Sequence, residues 1–416
     1  MKLILTISAM ILFLITGCES GKQPANDFLT VDITANYPKK ELILQDFLDV
    51  EYIPLETNEE FITSASMQAI GKNLIILRNK NGQDGDIFIF DRTGKGQRKI
   101  NRSGQGSQEY TNIGSIALDE EKGELFINNY YSSQFIVYDL SGNFKRTLKY
   151  DKDFNFNSGK IYNFDQDNLI CYDEIGNYKN LRKSAFWLLS KQDGSIVKEI
   201  ELPYEHKISP FLSKGIWSAG PRNTELISQN GSWVFIEPST DTIYSYSQDH
   251  SIKPFIVRTP PIRSMAPEVF LYPSILTDRY YFMQTTKKQW DFEKETGFPR
   301  TDLVYDKQED AIFECVVYNN DFVDQTPVDM WYEHGILKII NNDGIAFIKK
   351  LEANELVEAY RKGKLKGRLN EIAAGLNEES NPVIMVAKYK ETKLLTYCLF
   401  FQTCFLFVHV FRKTRT

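Results

Sequence analysis

A short unit recurs along this chain: an apolar strand, a turn, a second apolar strand closing on an aromatic residue and Asp, then a glycine. Leu74-Ile75-Ile76-Leu77 is followed by Ile87-Phe88-Ile89-Phe90-Asp91 and Gly94. Leu125-Phe126-Ile127 is followed by Phe135-Ile136-Val137-Tyr138-Asp139 and Gly142, and Leu169-Ile170-Cys171-Tyr172 by Phe186-Trp187-Leu188-Leu189 and Asp193-Gly194. Weaker copies pair Trp233-Val234-Phe235 with Ile243-Tyr244-Ser245-Tyr246, and Tyr280-Tyr281-Phe282 with Leu303-Val304-Tyr305-Asp306. The last copy pairs Gly335-Ile336-Leu337-Lys338-Ile339-Ile340 with Pro382-Val383-Ile384-Met385-Val386-Ala387. Runs of Ile, Val, Phe and Tyr broken by Gly, Asn and Asp are strands joined by turns. Asp91 and Asp139 stand 48 residues apart, Asp139 and Asp193 54, and Asp193 and Asp306 113, the length of two units.

A unit of roughly 40–50 residues carrying about four strands is the period of a propeller blade. Six copies over residues 46–390 predict an all-β chain folded as a six-bladed β-propeller, with a pair of irregular β-sandwiches as the competing arrangement. Radial closure suits such a chain because it hides sheet edges that a linear array would expose. Closure also predicts that residues 50–55 share a sheet with residues 382–388. Trp, Tyr and Phe number 5, 22 and 28, enough to fill one large core or several small ones. One helix interrupts the β pattern. Leu356, Val357, Tyr360, Leu365, Leu369, Ile372 and Leu376 recur at i, i+3, i+4 spacing over residues 352–376, opposite a face of Arg and Lys. Glu352, Glu355, Glu358 and Glu371 offset that charge, so a solvated face is expected there.

The first 18 residues place the chain in a compartment. Lys2 precedes a short apolar run ending at Ile15-Thr16-Gly17-Cys18. That is the layout of a secretory signal, residues 1–17, and the run is short for a membrane span. The final four residues resemble a bacterial lipobox, which predicts lipidation of Cys18. A polar tether around Pro24 then fills residues 18–45. Cys171 and Cys315 lie in apolar runs and are expected as buried strand residues; a disulfide between them stays open. Residues 394–411 form an apolar stretch followed by Arg412-Lys413, within a C-terminal extension over residues 391–416. Its length reaches the lower end of a membrane span, and an out-of-frame tail is the other reading.

With these residues in view, the chain resembles the six-bladed β-propeller lipoproteins of Bacteroidota, related to NHL-repeat propellers. The likeness rests on Tyr52-Ile53-Pro54-Leu55-Glu56-Thr57, on the line from Ile87 to Gly94, and on Gly104-Gln105-Gly106 with Glu109-Tyr110. Asn381-Pro382-Val383-Ile384-Met385-Val386-Ala387 completes it. The resemblance implies fold and compartment and carries over no catalytic residue; the chain departs from the family in its C-terminal extension.

No nucleophile elbow, Walker loop, His-Glu-x-x-His or Cys-x-x-Cys pair occurs. Gly104-x-Gly106 lacks the third glycine of a dinucleotide loop and is expected as a turn between blades. Asn81-Gly82-Gln83-Asp84-Gly85-Asp86 departs from EF-hand spacing and is expected as a hairpin turn. His206, His250 and His334 are scattered. No metal or cofactor is therefore expected, and a net charge of −6 gives no field to hold nucleic acid. Aromatics among polar residues remain as binding candidates: Tyr130, Tyr131, Trp217 and Trp290, with inter-blade packing as their other role. The expectation is an outer-membrane lipoprotein of the cell envelope, held to the membrane by its lipid and binding a protein, peptide or glycan without catalysis. The alternative is an envelope hydrolase or lyase with its site in the propeller channel.

Overall fold

The structure, a computed structural model, describes residues 28–79, 84–129, 132–150, 160–172, 184–229, 231–331 and 344–390. It is a six-bladed β-propeller. Blade 1 is Ser66–Ile70, Leu74–Arg78, Asp86–Asp91 and Gly96–Asn101; blade 2 is Ile116–Asp119, Glu124–Asn129, Gln134–Asp139 and Phe144–Lys149. Blade 3 is Lys160–Asn163, Asn168–Tyr172, Ser184–Ser190 and Ile196–Glu201. Blade 4 is Leu226–Gln229, Ser232–Phe235, Thr242–Tyr246 and Ile252–Thr259, and blade 5 is Val269–Leu276, Tyr280–Lys287, Arg300–Asp306 and Ala311–Tyr318. Blade 6 is described by Ile345–Leu351, Val383–Tyr389 and the N-terminal Leu48–Pro54. Strands alternate in direction within each blade, so second-to-third turns and the connections to the next blade leave on one rim. First-to-second and third-to-fourth turns leave on the other.

The repeated Asp and Gly make the turn between the third and fourth strands. Asp91 Oδ1 accepts from the N–H groups of Thr93 (2.8 Å) and Lys95 (3.2 Å), and Gly94 takes φ +88°, open to glycine at little cost. Asp139 accepts from Ser141 and Asn143 N–H in the same way, with Gly142 at φ +80°.

Burial is divided among the six blade boundaries. Ile75, Phe88, Ile348 and Val386 fill the boundary of blades 6 and 1; Ile76, Ile89, Leu125 and Ile136 fill that of blades 1 and 2. Phe126, Phe135, Cys171 and Trp187 follow between blades 2 and 3, then Phe186, Tyr172, Phe235 and Tyr246 between 3 and 4. Ile243, Ile256, Leu271 and Met283 lie between 4 and 5, and Ile275, Phe282, Phe347 and Met385 between 5 and 6. Cys171 and Cys315 are buried free thiols within these strands, and burial pushes both thiols up, Cys315 to about 12.

The N-terminus closes the ring. Leu48–Pro54 runs antiparallel to Val383–Tyr389, pairing Val50 with Ala387 and Ile53 with Ile384. Two strands precede it inside the segment expected as a tether. Leu29–Asp32 adds parallel to the outer strand of blade 4, and Lys39–Ile43 does the same on blade 5. Lys40 there reaches the buried Asp306 at 2.7 Å, beside Arg279. The partner of Val383–Tyr389 inside blade 6 is Ile345–Leu351; residues 335–340, expected in that place, lie outside the described residues.

The single C-terminal helix expected from periodicity is two helices, Ala353–Arg361 and Gly367–Ala374. Gly363 adopts φ +65° and Lys364 N–H returns to Ala359 O at 2.9 Å, which ends the first helix. Leu356, Leu365, Leu369 and Ile372 still face the core of blades 5 and 6, and the Arg and Lys face is exposed. No described helix is long and apolar enough to cross a membrane, and the extension over residues 391–416 lies outside the described residues.

Candidate binding site

Two hairpins stand on one rim, at blades 4 and 5. The first, Leu212–Lys214 with Trp217–Ala219, lies in the connection from blade 3 to blade 4 and turns at Gly215 (φ +63°). It leaves Trp217 69% and Ile216 93% exposed. The second, Trp290–Asp291 with Thr296–Gly297, lies between the second and third strands of blade 5. Its half-buried Trp290 packs on Phe298 with ring centroids 5.4 Å apart. Lys214, the cross-strand partner of Trp217, lies 3.8 Å from Glu293 in the second hairpin. Two of the four aromatic candidates therefore stand on neighbouring hairpins. Tyr130 and Tyr131, between Asn129 and Gln134 of blade 2, lie outside the described residues, as does Cys18.

Beneath the hairpins is a cavity of about 490 Å³, within the range of small-ligand sites. Pro221, Arg222, Gln284, Thr286, Phe298 and Arg300 line it. Thr286 and Arg300 are cross-strand partners, as are Gln284 and Asp302, so blade 5 delivers four polar groups in register. Asp329 accepts from Arg222 Nη1 at 2.6 Å and lies 3.8 Å from Arg300 Nη2. The Arg222 guanidinium also rests 5.6 Å from the centre of the buried Trp331 ring. Gln284 Nε2 donates to Asp302 at 2.6 Å. Although Asp302 reaches solvent, the surrounding protein depletes its hydration and raises its carboxyl, with Asp329 and Glu314 adding repulsion against Gln284 and Arg222. Sequence reading reached the tryptophans and passed over the arginines. The available signal was a Pro-Arg step beside each hairpin, Pro221-Arg222 and Pro299-Arg300.

Other charged groups close on themselves. The buried Glu225 takes Lys160 at 3.0 Å and the Tyr162 hydroxyl; Glu237 takes Lys207 at 2.6 Å and Ser239. Asp119 pairs with Lys191 at 2.6 Å, and burial pulls the lysine down against that partner. Among the described residues no three His, Cys, Asp or Glu side chains are placed to share a metal. His206 and His250 are exposed and stand on opposite rims at blade 4, His250 bonding Tyr246; His334 is outside the described residues. The Gly104-Gln105-Gly106 motif closes the connection between blades 1 and 2. Gly104 N–H donates to Tyr110 O at 3.1 Å, Gly106 N–H to Glu109 at 2.8 Å, and a Cβ on Gly104 would lie 1.9 Å from the Glu109 carboxylate. A second cavity, of about 470 Å³, opens on the opposite rim beside Lys72, Glu120, Asp165 and Gln248.

The chain belongs to the family described as Domain of unknown function (DUF4934), which matches residues 28–388. No curated protein matches it. Among solved structures it is similar to a Bacteroides fragilis protein designated as exported, at 13% identity and TM-score 0.57, over 87% of this chain and 99% of that one. A member of the duf4221 family from Bacteroides vulgatus follows at 11% identity and TM-score 0.47, over 83% and 99%. Virginiamycin B lyase from Staphylococcus aureus gives 9% identity and TM-score 0.35, over 82% and 100%. The first likeness supports the propeller fold and nothing finer; the other two are too distant to carry an argument.

Proposed function

We propose that the protein is an exported, lipid-anchored propeller of the cell envelope that binds a protein, peptide or glycan through the rim of blades 4 and 5 and does not turn it over. The observation that carries this reading is the pair of hairpins placing exposed Trp217 and half-buried Trp290 above a cavity with two arginines. Large aromatic rings beside a fixed guanidinium are the residue types that dominate binding hot spots. The compartment is supported by the Gly17-Cys18 site at the end of its apolar run. The buried carboxylates support binding over catalysis, because Glu225, Glu237, Asp306 and Asp119 are each held by a lysine or arginine.

Arrays of envelope glycans and peptides probed with wild-type protein and with Trp217→Ala test the reading. The variant is expected to lose the array signal while melting at the wild-type temperature, since Trp217 is exposed. An unchanged signal removes this rim from the function. Release of fragments from an array ligand by purified protein would establish the envelope hydrolase or lyase in its place.

A further inference from the structure

Resting on that reading of the rim, we propose that the cavity of blades 4 and 5 holds the carboxylate of an acidic glycan, with Arg222 and Thr286 binding the carboxylate and Trp217 and Trp290 carrying sugar rings. Charge gives the first argument. Arg222 and Arg300 are the charged residues that line the cavity, while Asp329, which they share, and Asp302, bonded to Gln284, stand outside its lining. Satisfaction gives the second. Arg222 Nη2 and Thr286 Oγ1 are buried and have no hydrogen-bond partner among the described residues, and Thr286 is only 2% exposed. Burying such groups unpaired is costly, the more so for a charged one. Both are donors, so the group that relieves them brings oxygen. A carboxylate supplies two oxygens in the plane a guanidinium fork prefers. Asp329 and the Trp331 ring already hold Arg222 in place, which lowers the ordering cost of binding.

Shape gives the third argument. Trp217 lies open on its hairpin and Gln284 adds an amide to the cavity floor. A sugar ring offers an apolar face to an indole and hydroxyls to an amide at the same time. A peptide anchors through side chains in apolar pockets, whereas this lining sets two arginines, an amide and a hydroxyl among Pro221, Phe298 and Pro299, the mixture that a sugar's hydroxyls and apolar face require.

Calorimetry on the full chain decides the matter, with oligogalacturonates and oligoglucuronates as acidic probes, their methyl esters as neutral ones and triglutamate as the peptide probe. Wild type is expected to bind an acidic oligosaccharide, with affinity falling as salt rises. Esterification, Thr286→Val and Arg222→Lys are each expected to weaken it about tenfold to a hundredfold, the scale of one lost charge-assisted hydrogen bond. Melting temperatures identify any variant that fails to fold, and Arg300→Gln then serves as the second test of the charge. Ester binding equal to acid binding, indifference to Thr286→Val with a wild-type melt, or tighter binding of triglutamate would each overturn the proposal. If no uronate binds while array ligands still depend on Trp217, the binding rim stands and this assignment falls. If neither binds, both fall.

Discussion

At the scale of single residues, Asp91 and Gly94 show why the repeat is visible at all. The Asp carboxylate replaces missing backbone acceptors in a turn whose glycine adopts a left-handed conformation. Gly94 is doubly constrained, since a Cβ there would lie 2.0 Å from Pro54 O of the closing strand. Local chemistry of this kind leaves a fixed sequence mark; Thr286 leaves none and Arg222 only the proline before it, because their meaning depends on neighbours distant in sequence. Glu124 likewise takes its meaning from partners some twenty residues away, here within its own blade. It sits 5% exposed with Arg146 on both oxygens at 2.8 and 2.7 Å and Lys145 at 2.9 Å. Arg146, acting against desolvation and aided by Lys145, lowers its carboxyl from 4.5 to about 2. Between those values the unfolded chain binds the proton and the folded one does not, so this pair stabilises above about pH 4.5 and is lost toward pH 2. Denaturation midpoints at pH 7, 5 and 3 are expected to fall less steeply in Arg146→Met than in wild type. The variant is also expected to be weaker at pH 7, by less than the roughly 3–5 kcal/mol of an orphaned buried charge, since Lys145 remains. Parallel pH profiles would rule out the pair as the cause.

Among the elements, blades were legible where two inner strands kept their apolar pattern, and illegible where strands are added from a distance. Leu29–Asp32 and Lys39–Ile43 are short, carry no turn chemistry and find their partners more than two hundred residues away. They cover the outer edges of blades 4 and 5, while blades 1 and 2 end in Gly96–Asn101 and Phe144–Lys149, strands rich in Lys and Arg. Charged edges of that sort resist pairing with other chains. The two C-terminal helices show the reverse error: hydrophobic phase runs through Gly363, although Arg361-Lys362-Gly363 carries a helix-stop signal. Closure by Leu48–Pro54 was predicted from the architecture and is present, and it makes the last strand indispensable. Removal of residues 382–390 takes out the strand between Ile345–Leu351 and Leu48–Pro54, and with it Ile384 and Val386, so the buried Ile53 and Ile348 that pack on them are exposed. Such a truncation is expected to lose its cooperative melt and bind a hydrophobic dye. A sharp transition near the wild-type temperature would show that blade 6 does not hold the ring.

For the whole molecule, the added N-terminal strands decide which way the propeller faces if Cys18 carries a lipid. Leu29 follows Cys18 by 11 residues, a reach of at most about 40 Å. Leu29–Asp32 pairs in parallel with Ile256 to Thr259, so the chain climbs the outer wall of blade 4 toward the rim that bears Trp217 and Trp290. The start of Leu29–Asp32 is therefore directed at the opposite side, where the third-to-fourth turn of blade 4 presents Gln248. An anchor on that side puts Gln248 toward the lipid and Trp217 toward the surroundings. Labelled palmitate is expected to enter the wild type and not Cys18→Ala. With the lipidated protein on liposomes, Trp217→Cys should react with a bulky membrane-impermeant maleimide and Gln248→Cys should be protected. Both should react in detergent, with Cys398 and Cys404 replaced by serine in every variant and the buried Cys171 and Cys315 silent throughout. Protection of position 217 would turn the binding rim toward the membrane and make the bilayer itself the surface it meets. Equal reactivity at both positions would mean that the N-terminal strands leave the ring's orientation unset.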